Sequence, residues 1–343
     1  MPKPDISMQT QRTFPGAGLA LATLLTFTLG AASLRATDVE GNLDKSFTVA
    51  PGGTFVLEAD RGSVTVNTGA ADKAEIKVFR KVSASSTAKG EEILAKHEIT
   101  FAQEGTEVRV KAKSNRASSG FDSLWNRLQV RYEVTLPRQF NPHVTTAGGS
   151  ITIAEFQGDI RAQTAGGSIR VGRTEGPVFA KTAGGSIQVA GATGRVDAQT
   201  AGGSIKVEEA GGELVAETAG GSIEIGKAAG RVKAHTSGGG ITIKEAAGKV
   251  DAHTAGGSIR VGLTSSPEED CVLETAAGSI HLQLPSTASA EIDAVSSAGR
   301  VSSDLPVTVK GEVKNSSLRG KLGSGGKLVR LRTSGGSIHL ESR

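Results

Sequence analysis

The chain has 343 residues, a net charge of +4, 46 glycines and only 3% aromatic residues, which excludes a thick core built on large side chains and favours a thin one of small residues. The positive charge is spread along the sequence with no Lys/Arg run of the kind that tracks phosphate, so nucleic acid is not an expected partner. A single cysteine, Cys271, excludes an internal disulfide framework and a multi-cysteine metal site.

At the N-terminus, Lys3 and Arg12 precede an uncharged stretch from Gly16 to Ser33. Its centre, LALATLLTFTLG, is too short to span a bilayer comfortably and is followed by small residues. Residues 1–36 therefore read as a cleavable signal peptide, with cleavage after Ala32 or Ala36, and the protein is expected in the periplasm, at the cell surface or secreted. No later run is apolar and long enough for a membrane helix, so no transmembrane segment is expected after cleavage.

Residues 37–145 form a mostly-β region. Alternation predicts strands at 54–59, 63–67, 74–82, 107–113 and 128–136, and a short helix from Thr87 to Lys96 weakened by Gly90. This region would cap the first coil of the repeat that begins at Thr146, although RGSVTV at Arg61 echoes that repeat and leaves open whether the coils already begin there. Between Ser114 and Arg127, Phe121 and the sole tryptophan, Trp125, stand in a polar segment. They are candidate partner-binding anchors; the alternative is that Trp125 plugs the open end of the core.

Residues 146–343 are dominated by a repeat. T-A-G-G-S-I begins at Thr146 and returns at Thr164, Thr182, Thr200, Thr218, Thr236 (as TSGGGI) and Thr254, always after 18 residues. Looser copies stand at Thr275, Ser296 and Ser317, before TSGGSI at Thr333. Fixed self-similarity of this kind means stacked coils. Within each coil an I-x-V/I column (Ile169, Val171; Ile187, Val189; Ile205, Val207) alternates with a V/L-x-A column (Val178, Ala180; Val196, Ala198; Leu214, Ala216), which predicts two short strands per coil facing each other across a dry, aromatic-free core. Glycines at the corners, such as Gly166, Gly167 and Gly176, would supply the positive φ that tight corners need. The expected fold is all-β, a right-handed parallel β-solenoid of 18-residue coils with an N-terminal capping region containing one short helix.

Outward positions are varied and read mainly as solvated faces. Lys206 and Glu224 stand on neighbouring coils with opposite charge. Glu217, His235, His253 and Glu274 occupy one outward position on successive turns, about 5 Å apart. Two imidazoles and two carboxylates could hold zinc, but outward neighbours on parallel strands point the same way without converging, so no metal site or cofactor is assigned. His281 and His339 read as isolated surface residues. Catalytic β-helices raise clustered carboxylates on loops over one face; coils of constant length leave little room for that, and the acidic trio Glu268, Glu269 and Asp270 reads as a solvated loop. The expected function is that of a non-catalytic exported solenoid, an adhesin-like or scaffold protein binding a protein or glycan at the cell envelope. The alternative is a carbohydrate-active β-helix enzyme, and edge-to-edge self-association through the C-terminal coil is a further expectation.

The order LEADRGSVTV, AEIKVFRKV, a helix, ITFAQEGTEVRVKAK, then RYEVTLPRQFNPHVTTAGGSITI and a train of G-x-I-x-V coils resembles the bacterial "putative adhesin" family of β-strand-repeat proteins. The resemblance covers nearly the whole chain after residue 36 and implies the β-solenoid fold and a surface role, with no catalytic residues to carry over. Corners here read A-G-G-S-I where the family more often has N-G-D/G-I.

Overall fold

Strand pairing follows the apolar columns. Ile169, Ile187, Ile205, Ile223, Ile241 and Ile259 stand in register on successive parallel strands, and Val178, Val196, Leu214, Val232 and Val250 do the same in a second sheet. The computed structural model describes residues 37–114, 127–309 and 314–343. Each coil gives one strand to each of two long sheets, which we term the isoleucine sheet and the alanine sheet after their buried columns. Both columns are almost fully buried: Ile205 is 1% exposed, and Ala198 and Ala216 are at 0%. The fold is thus an all-β solenoid with a core only two side chains thick.

The corners owe their glycines to stacking. Among the described glycines, positive φ is confined to Gly52, Gly62, Gly105, Gly323, Gly325 and Gly326, all outside the central coils, so the expectation of left-handed corner glycines does not hold there. A Cβ on Gly203 would lie 2.1 Å from the carbonyl oxygen of Gly185 in the preceding coil, and one on Gly185 equally close to that of Gly167. The backbone of one coil rests on the next with no room for a side chain. The repeated threonines complete the corner from inside. Thr164, Thr182 and Thr200 each donate an Oγ1 hydrogen bond of 2.8 Å to the glycine carbonyl of the preceding coil, and each accepts one from the amide of the glycine three residues on. A buried hydroxyl is tolerated here because both of its bonds are made.

The N-terminal elements lie close to their expected positions: Thr54–Ala59, Ser63–Gly69, Lys73–Ala84, Glu107–Ser114 and Leu128–Pro137 are strands and Thr87–Lys96 is a helix. The helix contacts Lys73–Ala84 of the isoleucine sheet and His97–Glu104 of the alanine sheet, so it spans the end of the stack, with its own Ile93 and Leu94 buried. Ser86 caps it by accepting a hydrogen bond from the Lys89 amide, and the Arg80 guanidinium donates to the carbonyls of Leu94 and His97 at its other end, at 3.0 and 3.1 Å. Gly90 is a packing residue, since a Cβ there would fall 2.5 Å from Val39 Cγ2. Phe55, Tyr132, Phe140 and Phe156 are fully buried, so the core is aromatic-free only in the central coils and is wider at this end. Trp125 and Phe121 lie outside the described residues.

The coils are out of chain order at both ends. Thr54–Ala59 pairs in parallel with Glu107–Ser114 on one side and Asn141–Thr146 on the other, and Ser63–Gly69 likewise lies between Leu128–Pro137 and Ile151–Ile153. The Arg61 echo is therefore a true coil, set second in the stack. At the other end, Leu328–Thr333 lies between Cys271–Thr275 and Ala290–Ser296, and Ile338–Ser342 between Ile280–Leu284 and Val301–Ser303. The chain passes over one level, builds the last coil and returns to fill the gap. Ser317–Leu322, expected as a coil, is instead an antiparallel strand that pairs with Ala290–Ser296 and Val307–Val309. At this end the described edge strands are the short Val301–Ser303 and Val307–Val309.

Candidate functional site: a groove on the alanine sheet

Along the outer face of the alanine sheet runs a groove of about 990 Å³. Its floor is the outward column that comes after each buried alanine, or after Leu273 and Leu331 in the last two strands: Lys181, Gln199, Glu217, His235, His253, Glu274 and Arg332, paired residue to residue on adjacent strands. Six strand spacings of about 4.8 Å give a length of about 29 Å. Arg332 joins the column only because the returning chain fills the level beside Cys271–Thr275.

The four metal candidates fall in the middle of this floor, where the structure divides their roles. Glu217 is turned aside, its carboxylate 2.8 Å from Lys233 Nζ. His235 and His253 meet edge to face, with ring centroids 4.8 Å apart and planes at 68°. Glu274 Oε2 lies 3.4 Å from His253 Nδ1. The carboxylate that faces both rings belongs to Asp251, two residues before His253 on the same strand: its Oδ1 is 2.5 Å from His253 Nε2 and 3.9 Å from His235 Nε2. Asp251 is outward-facing like the imidazoles but one step along the strand, so a reading confined to a single column omits it. Desolvation, with His253 and Lys233 nearby, holds the His235 imidazole below its ordinary pKa and favours its neutral form.

Other expected features resolve differently. His281 and His339 are neighbours, with ring centroids 6.3 Å apart, again because the returning strand Ile338–Ser342 is inserted beside Ile280–Leu284. His281 faces Glu341 at 3.3 Å and His339 faces Asp304 at 3.3 Å. Lys206 and Glu224 are in register, yet Glu224 pairs with Lys244 at 2.9 Å and Lys206 lies 3.6 Å from Glu208. In the acidic trio, Glu269 takes a two-point contact from Arg231 at 2.9 and 2.7 Å, and Asp270 accepts from the Leu328 amide at 3.0 Å. These two carboxylates thus anchor a loop and the returning coil. Cys271 is buried, which pushes its thiol pKa up and removes it from thiolate chemistry. No helix among the described residues is long and apolar enough to cross a membrane.

No curated protein matches the chain. Crystal structures of similar proteins include a putative adhesin from Bacteroides fragilis NCTC 9343, with 10% identity, 88% of this chain and 97% of that one covered and a TM-score of 0.34. A putative adhesin from Parabacteroides distasonis ATCC 8503 has 9% identity, coverage of 87% and 97% and a TM-score of 0.38. A putative lipid binding protein from the same strain has 11% identity, coverage of 87% and 96% and a TM-score of 0.29. The model of the Toastrack DUF4097 family matches residues 56–341, and the chain belongs to that family.

Proposed function

We propose that the protein is an exported, non-catalytic binding solenoid, adhesin-like in role, whose ligand-bearing surface is the groove on the alanine sheet. The observation that carries this reading is the groove itself: a continuous, mixed-charge polar floor from Lys181 to Arg332, mounted on coils held in register by backbone hydrogen bonds and buried threonines. A rigid floor of this kind loses little entropy on binding, and its length suits an extended polar chain such as a glycan better than a compact small molecule. Export rests on the signal-peptide pattern of residues 1–36. Binding of the purified protein to an array of glycans and extracellular-matrix polymers tests the reading, with selective retention of one polymer class as the expected result.

A further inference from the structure

We propose that His235, Asp251 and His253 form a binding site for a divalent transition metal, zinc foremost, with Glu274 orienting His253 from behind. The proposal goes beyond the binding role above and does not depend on it, because the site would take metal whether or not the groove holds a polymer.

One ligand atom each from His235, Asp251 and His253 lies within 4.8 Å of the other two. Tetrahedral zinc with bonds of about 2.0–2.1 Å separates its ligand atoms by about 3.3 Å. The two distances to Asp251 Oδ1, 2.5 and 3.9 Å, straddle that value, so small side-chain rotations close the shell. Convergence comes from the edge-to-face crossing of the two rings, which removes the objection that outward neighbours on parallel strands point the same way.

A second observation points to a missing partner. His235 Nε2 is shielded from solvent and makes no hydrogen bond among the described residues, while Asp251 Oδ1, equally shielded, has the close contact to His253 Nε2. Buried polar atoms are nearly always satisfied, and a cation shared with Asp251 Oδ1 would give His235 Nε2 the partner it lacks. The outer shell is also in place. His253 presents Nε2 to the cluster and Nδ1 to Glu274 at 3.4 Å, the carboxylate–histidine–metal arrangement that fixes ring orientation and tautomer. Imidazole, imidazole and carboxylate suit zinc, copper(II) or nickel(II) and disfavour calcium or magnesium, which take oxygen ligands. Three protein ligands leave the remaining positions to water or to an oxygen donor of a ligand in the groove.

Isothermal titration of zinc chloride into the purified protein tests the site, with cobalt(II) absorption as an independent reading of coordination. The expected result is one zinc per chain and intense tetrahedral cobalt bands. Both should be lost in His235→Ala and Asp251→Asn, be weakened about tenfold or more in Glu274→Gln, and persist in Glu217→Gln and in the His281→Ala/His339→Ala double variant. Because the ligand side chains face outward, His235→Ala and Asp251→Asn should melt like the metal-free parent, and zinc should raise the melting temperature of the parent but not of these two variants. Absence of zinc heat in the parent, binding that survives His235→Ala/His253→Ala, or binding that vanishes with His281 and His339 instead would each overturn the proposal.

Discussion

Thr200 Oγ1 donates a 2.8 Å hydrogen bond to the carbonyl of Gly185, fifteen residues earlier and one coil down. The same hydroxyl accepts from the amide of Gly203 in its own coil, so it ties two coils together at a buried corner. Thr200→Val keeps the shape and leaves the part-buried Gly185 carbonyl and Gly203 amide without these partners. It should cost about 1–3 kcal/mol, read as a lower denaturation midpoint. An unchanged midpoint would show that the ladder contributes nothing to stability.

The two glycines of one corner should respond oppositely to alanine. A Cβ on Gly202 meets the nearest carbonyl at 3.4 Å, whereas one on Gly203 meets the Gly185 oxygen at 2.1 Å. Gly202→Ala should be close to neutral, and Gly203→Ala should force the coils apart at a cost on the order of 1–3 kcal/mol. Thermal melting of the two variants side by side decides it; equal melting temperatures would mean that the stack yields at the corner.

Truncation distinguishes the out-of-order stack from a sequential one. In a sequential stack, removing residues 328–343 would take away only the last coil. Here it takes the level between Cys271–Thr275 and Ala290–Ser296, so the strands beyond it lose their parallel partners. Limited proteolysis of the truncated protein should cut within residues 285–309 while the central coils stay protected. Protection of 285–309 would contradict the assigned order.

Acid should loosen the N-terminal end first. Asp60 is partly buried, which raises its pKa, but contacts from His97 and Ser114 outweigh burial and hold the carboxyl well below the usual carboxylate range. The Ser114 amide donates to it at 2.8 Å. Since the folded value lies below the unfolded value of about 3.9, the ionised group stabilises the fold fully above that pH, and the contribution is lost as pH falls through and below it. The melting temperature should therefore drop as pH falls below about 4, and the drop should be smaller in Asp60→Asn. An equal drop in the variant would place the acid sensitivity elsewhere.

The central coils were legible because an 18-residue period with inward Ile, Val and Ala at fixed offsets leaves few alternative registers, and the column from Glu217 to Glu274 came directly from that register. Coil order at the ends was not legible. TSGGSI at Thr333 identifies a coil, but which level it fills depends on pairing with strands more than 50 residues away, and local periodicity carries no such information. The same transposition hid the His281 and His339 pair. Corner glycines were read correctly as corners and wrongly as positive φ, because a requirement for close stacking and one for left-handed backbone look alike in sequence. Asp251 was missed because the sequence shows that it faces outward but not that two imidazoles rotate towards it.

The measurement that bears most directly on the binding role is array binding by the parent protein beside two charge-reversal variants, Lys181→Glu in the groove floor and Arg170→Glu on the outer face of the isoleucine sheet. Selective binding to one polymer class that falls about tenfold or more in Lys181→Glu, a loss of roughly 1.4 kcal/mol, and is unchanged in Arg170→Glu is the predicted result. A blank array, or binding that depends on Arg170 and ignores Lys181, would contradict the assignment of the groove as the ligand-bearing surface.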